Sequence, residues 1–162
     1  MFAYVASRVD SSHDADVVTQ DVFMRIVNGL AGYEYRGLGS FSAWVFRIAY
    51  HEAVRHVKKH RLRDVPIDDV PDIAGEDARP EHEVERKERF AALRRLIARL
   101  TPREQEVITL RYFGEVRNRD IAVVLEINER TVASTLNRAV KHLRRNLHSE
   151  PVLWNVEIGE HE

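Results

Sequence analysis

The chain has 162 residues, enough for one medium domain or two small ones, with 44% hydrophobic residues, seven glycines and no cysteine. The missing cysteine excludes a disulfide framework and thiolate metal sites, and scarce glycine favours helices over a strand-rich barrel. No apolar run reaches membrane-spanning length, and Arg8 and Asp10 cut the apolar start too early for a signal peptide, so a soluble, cytoplasmic chain without membrane insertion is expected.

The net charge of −1 conceals a segregated pattern. Residues 1–66 carry +2, residues 67–86 carry −6, residues 87–148 carry +7 and residues 149–162 carry −4. Two basic modules tied by an acidic linker, with an acidic tail, fit an anionic partner better than the whole-chain charge does.

In chain order, residues 1–9 read as the end of a helix with Phe2, Val5 and Val9 on one face. Asp10, Ser11 and Ser12 supply turn and cap chemistry. A second helix is predicted over residues 14–30, burying Ala15, Val18, Val22 and Ile26, with Phe23 and Leu30 widening the stripe. Its polar side carries Asp14, Asp21, Arg25 and Asn28. Residues 36–40 form a loop with Ser40 as the expected N-cap. A third helix is predicted over residues 41–61, with Phe41, Val45, Ala49, Ala53 and Val57 as its buried row. Trp44 adjoins that row and is expected in the core rather than stacked on a base. Arg47, His51, Arg55, Lys58, Lys59 and Arg61 line the charged side.

Residues 64–86 hold three prolines among the carboxylates and read as an extended linker. Helix resumes near Glu85 with Phe90, Leu93, Ile97 and Leu100 as its buried row. Thr101, Pro102 and Glu104 then spell a capping box with proline in the first turn, opening a helix that stops at Gly114. A short helix over residues 118–125, a turn through Glu126, Ile127 and Asn128, and a long helix over residues 129–147 follow. This is helix-turn-helix spacing. The last helix buries Val132, Leu136, Val140, Leu143 and Leu147. Its other face presents Arg130, Ser134, Asn137, Arg138, Lys141 and Arg145. A helix that reads a major groove needs that division: cations for phosphates, and hydroxyl, amide or guanidinium groups for base edges.

Three stretches carry a more specific signal. Residues 100–113 (LTPREQEVITLRYF), 120–125 (DIAVVL) and 130–139 (RTVASTLNRA) resemble the C-terminal domain of bacterial sigma factors, most closely the extracytoplasmic-function (ECF) group. Residues 14–25 (DADVVTQDVFMR) and 41–49 (FSAWVFRIA) are similar to that group's N-terminal domain. The resemblance covers about residues 1–66 and 87–147. It implies an all-α protein of two small helical domains, a region 2-like bundle and a region 4-like helix-turn-helix, joined by the acidic linker.

It implies a function as well: an alternative sigma factor that binds core RNA polymerase and directs promoter recognition and strand opening, with no catalysis of its own. Asp14, Asp21, Arg25 and Asn28 match the helix that docks on the polymerase clamp. Arg36, Ser40, Arg47, His51, Arg55, Lys58, Lys59 and Arg61 fall in the part that opens and holds the minus-ten element. Arg130, Thr131, Ser134, Asn137, Arg138, Lys141 and Arg145 fall in the minus-thirty-five reader. The linker matches a segment that threads the RNA path, and an anti-sigma partner is possible by the same resemblance.

The chain departs from the family pattern in several places. Glu126 stands where glycine is usual, and Ala133 and Thr135 where basic residues are frequent, so DNA contacts are expected to be lost there. His51 and Arg55 replace the usual Asn and Asp. The family's first helix normally starts before the position of Met1, so the first domain is expected to lack some packing.

Two other classes compete. A regulator or a sigma-like decoy could use the helix-turn-helix without supporting initiation, although a simple regulator has no need of the two N-terminal motifs. An enzyme is suggested superficially by the HEAVRH stretch at residues 51–56, but its histidines are five apart and point about 140° from each other. Glu52, His56 and His60 share a face that could hold a metal. In so basic a helix none is expected, and no cofactor is called for. Gly37, Leu38, Gly39 and Ser40 lack the lysine and spacing of a phosphate loop.

Overall fold

A computed structural model describes residues 1–60, 80–150 and 153. The expected linker lies mostly outside these, as do Arg61 and nearly all of the tail. Among the described residues there is no strand; seven α-helices and two short 3-10 turns make the fold.

Helix α1 (Phe2–Ala6) and α2 (Ser12–Gly29) form the first pair. Ser11 caps α2, accepting a hydrogen bond from the Asp14 N–H at 3.0 Å, and Asp14 adds a carboxylate to the first turn. Ala15, Val18 and Val22 are buried where α1 and α3 pack on α2. Phe23 and Leu30 do not widen this stripe. They are 56% and 52% exposed and join Met24 and Val27 in an uncovered apolar face. At 100° per residue, Phe23 lies a quarter-turn off the Val22 direction, beyond the reach of both neighbours.

Helix α3 (Ser40–His60) returns antiparallel to α2 across a short loop. Its buried row is Ala43, Phe46, Ala49 and Ala53, not the expected four-residue ladder; Phe41 is 46% exposed, and Val45 and Val57 are half-buried. A strict spacing of four drifts 40° per step, so five such residues crawl around the helix, whereas mixed three- and four-residue steps hold one face. Ser40 is the first helical residue rather than the residue before it. Its hydroxyl pairs with the Tyr33 hydroxyl at 2.7 Å and accepts from the Arg36 N–H at 3.1 Å.

Helix α4 (Pro80–Ala98) begins five residues earlier than expected, at the proline itself. Ile97 and Leu100 are buried as read, while Phe90 is half-buried against Phe113 at 5.9 Å; Ala92 and Leu96 complete the row. In α5 (Pro102–Tyr112) both arms of the capping box are present. The Thr101 hydroxyl accepts from the Glu104 N–H at 3.4 Å, and the Glu104 carboxylate accepts from the Thr101 N–H at 3.1 Å. His142 of α7 reaches the same carboxylate at 3.0 Å, tying two helices together.

Burial alone would raise the Glu104 pKa, but the hydrogen bonds from Thr101 and His142 outweigh it and hold the carboxyl below its usual 4.5. The unfolded chain therefore takes up this proton first as the pH falls. The stabilisation is complete above pH 4.5 and disappears as the pH drops through the folded value. Glu104→Gln should flatten the acid limb of a stability-against-pH curve recorded by circular dichroism.

Helices α6 (Asn118–Leu125) and α7 (Glu129–Asn146) make the helix-turn-helix. Glu126 ends α6 in the left-handed region at φ 55°, ψ 44°, a conformation that costs a non-glycine residue about 1 kcal/mol. Asn128 then caps α7 by accepting from the Thr131 N–H at 2.7 Å. Val132, Thr135 and Ala139 are buried, with Leu136, Val140 and Leu143 packed beside them.

The two modules pack on each other through α3 and α6. One continuous core takes Tyr4, Val22, Phe46 and Ala49 from the first and Leu110, Val116, Ile121 and Val132 from the second. Polar contacts fasten its rim: Tyr50 donates to Glu106 at 3.0 Å, Arg119 to the Leu38 carbonyl at 2.8 Å and Arg94 to Asp10 at 3.1 Å, while Arg47 pairs with Glu126. Gly39, at φ 90°, is required here, because a Cβ would meet Arg117 at 2.6 Å and Asp120 at 2.8 Å.

Candidate nucleic-acid and polymerase interface

On α7, Arg130, Ser134, Asn137, Arg138, Lys141 and Arg145 are all exposed, and Thr131 is half-buried at the cap. Among the described residues no carboxylate pairs with Arg130, Arg138, Lys141, Arg144 or Arg145, so the face keeps its charge. Arg138 also donates to the Thr135 hydroxyl at 3.2 Å, which orients its guanidinium along the helix. Thr135 is 1% exposed, so the lack of a basic residue there strips nothing from the outer face, contrary to expectation. Arg144, exposed on the same helix, was not singled out, although it stands in the same cationic run as Arg145.

The residues grouped for strand opening lie on α3 and the preceding loop. Arg36 is exposed and pairs loosely with Glu34 at 3.4 Å. His51, Arg55, Lys58 and Lys59 are exposed along α3, with Arg55 bonded to Glu52 at 3.1 Å. Arg47 is held by Glu126, and the Ser40 hydroxyl is occupied by Tyr33 and Arg36. Of these, Arg36, Ser40, Arg47 and His51 line a cleft of about 1060 Å³ whose opposite wall is Arg119, Asp120 and Val123 of α6, whereas Arg55 and Lys59 line a different cleft, toward the start of α2.

Trp44 is half-buried at the cleft floor. Tyr33 lies 5.0 Å and Phe41 5.8 Å from its ring, and the three make an aromatic platform. Tyr33 escaped the sequence reading and Phe41 was read as core, although aromatic residues at positions 33, 35, 41 and 44 are a density that could have flagged them. Such a surface suits an unpaired base, since every base has a face to stack.

Asp14, Asp21, Arg25 and Asn28 line a second cleft, of about 600 Å³, between α2 and the end of α3. Asp21, Arg25 and Asn28 are exposed and Asp14 is half-buried. Arg25 bonds the buried Glu52 at 2.6 Å, which fixes the guanidinium at the surface. Beside them runs the apolar face of Phe23, Met24, Val27 and Leu30, which the polar reading of α2 overlooked.

Comparison with known proteins agrees with this geometry. Residues 1–63 match the family model "Sigma-70 region 2", and residues 90–143 match "Sigma-70, region 4". The chain is 30% identical over 148 residues to the ECF RNA polymerase sigma factor BldN of Streptomyces coelicolor, covering 91% of this chain and 56% of BldN. It is 29% identical over 147 residues to the RNA polymerase sigma factor YlaC of Bacillus subtilis, covering 89% of this chain and 83% of YlaC. In fold it is similar to CnrH, solved in complex with the cytosolic domain of CnrY, at a TM-score of 0.67 and 20% identity over 92% of this chain and 81% of that one. The sigma factor RpoE of Bartonella quintana, solved with the anti-sigma factor NepR, gives 0.68 and 19% over 91% and 89%. With both regions present in family order, the chain belongs to the sigma-70 family, in its ECF group of RNA polymerase sigma factors.

Proposed function

We propose that this chain is an alternative sigma factor in which residues 1–66 dock on core RNA polymerase and hold the opened minus-ten strand. Residues 87–148 read the minus-thirty-five duplex, and residues 67–86 join the two. It initiates transcription in the cytoplasm without catalysing a step itself, and an anti-sigma factor is its regulator.

The observation that carries the reading is the exposed cationic face of α7, without a carboxylate partner among the described residues, beside the capped turn at residues 126–128. Arg130, Lys141 and Arg145 supply charge for phosphates, while Ser134, Asn137 and Arg138 supply groups that match base edges. On the first module, Arg36, His51, Arg55, Lys58 and Lys59 follow the strand, and the Tyr33–Phe41–Trp44 platform receives a base. Asp14, Asp21, Arg25 and Asn28, with the apolar face beside them, form the polymerase contact.

The packing of α6 against the loop before α3 makes one wall of that platform's cleft, so in this reading the two modules part to admit a full strand. The regulator proposal is supported by the relatives CnrH and RpoE, which were solved with CnrY and NepR. In vitro transcription with purified core polymerase on a genomic promoter library tests the whole reading. Specific initiation that depends on added protein is expected; core binding without transcripts would make the chain a decoy.

A further inference from the structure

We propose that Asp14, His56 and His60 form a binding site for one divalent transition-metal ion of the zinc class. The antiparallel pairing of α2 and α3 brings the first turn of one helix to the last turn of the other. His56 and His60, four residues apart, share a face. Their rings stack at 4.0 Å and 19°. Asp14 Oδ1 lies 3.1 Å from His56 Nε2. One ligand atom from each of the three residues falls within 4.8 Å of the others. Bonds of about 2.0–2.2 Å in a tetrahedral shell place donors about 3.3–3.6 Å apart, so small side-chain rotations close the site.

Two details favour an ion over a simple ion pair. His56 Nε2 is shielded from solvent yet makes no hydrogen bond of acceptable geometry, although the carboxylate is close. A shared cation would satisfy both atoms. The other carboxylate oxygen, Asp14 Oδ2, accepts from the Ser11 hydroxyl at 2.8 Å, the outer hydrogen bond that orients a ligating carboxylate and leaves Oδ1 for the metal.

Glu52, the carboxylate that sequence spacing groups with these histidines, is engaged by Arg25 and Arg55, so the third ligand comes from α2 instead. Two imidazole nitrogens and one carboxylate oxygen suit Zn²⁺ and its neighbours rather than Mg²⁺ or Ca²⁺, which take oxygen shells. The fourth position opens into the cleft, which His13 also lines.

The site stands without the sigma-factor reading, but it draws on Asp14, one of the four proposed docking residues, and would pin the two helices that form the docking cleft. Titration of the full chain with ZnCl₂ by isothermal calorimetry should show one ion bound per chain, with a rise in melting temperature. His60→Gln and Asp14→Asn should each weaken binding by more than about tenfold. Both positions are half-buried at helix ends, and circular dichroism would verify that the variants fold. Absence of saturable one-to-one binding, or undiminished affinity in both folded variants, would overturn the site.

Discussion

Phe46→Ala should destabilise the protein by about 3–5 kcal/mol, the range for removing a buried aromatic ring. Phe46 is 8% exposed on the inner face of α3 and meets the Tyr4 ring edge-on at 5.8 Å. Its far side lies flush on Gly114, where an added Cβ would sit 2.8 Å from the ring. One side chain thus fills the junction of α1, α3 and the turn after α5, and no neighbour can collapse into its space without moving a helix. At about 2–4 °C per kcal/mol for a chain of this size, the melting temperature should fall by about 6–20 °C. Phe23→Ala, which removes a ring of the same size from an exposed site, should change stability by about 0.5 kcal/mol or less. Thermal denaturation of the two variants measures both. If Phe46→Ala were as mild as Phe23→Ala, the modules would not share the core through which α3 and α6 meet.

That contrast shows where the sequence was legible. The second module announces itself through local chemistry: Thr101, Pro102 and Glu104 mark one helix start, Gly114 marks its end, and Asn128 caps α7. Such signals act within four residues, so no knowledge of the fold is needed to read them. Even Glu126, in the place of a usual glycine, is left-handed as the turn demands. Its carboxylate answers for its presence, since it pairs with Arg47 across the module boundary.

The first module was less readable because its burial is set by partners distant in sequence. Helix α3 packs on α2 with one side and on α6 with another, so no simple stripe identifies its inner face. The apolar residues at 41, 45, 49, 53 and 57 suggested a ladder, while Ala43 and Phe46 do the packing. Phe23 and Leu30 are apolar and helical but face outward, and periodicity cannot tell a core position from an exposed apolar one beside it. The same holds for the clustering of Asp14 with His56 and His60, which joins residues more than forty positions apart. Thr135 is the opposite case: a position read as a lost DNA contact is buried, with its hydroxyl engaged by Arg138.

The outward face of α7 leads to the other large effect. Loss of both Arg138 and Lys141 to alanine should lower the salt slope of binding to a minus-thirty-five duplex by about 0.9, because Lys141 is the phosphate contact of the pair and each such contact on duplex DNA contributes about 0.9. The two residues should separate when tested singly. Arg138, steered by Thr135 Oγ1, is placed to reach a base edge, so Arg138→Ala should cost about 1–3 kcal/mol on the preferred site and much less on random DNA. Lys141, one turn further along the exposed face, offers a point charge, so Lys141→Ala should weaken preferred and random DNA alike. Fluorescence anisotropy across a salt series on preferred and random DNA resolves both quantities: an unchanged slope in Lys141→Ala would remove its phosphate contact, and an unchanged preference in Arg138→Ala would remove its base contact. Because α7 packs inward on α5 and α6, its outer face is open while α3 and α6 are still joined. Duplex binding through α7 should therefore survive conditions that keep the modules together, whereas binding of an unpaired minus-ten strand, whose cleft α6 narrows as its opposite wall, should weaken.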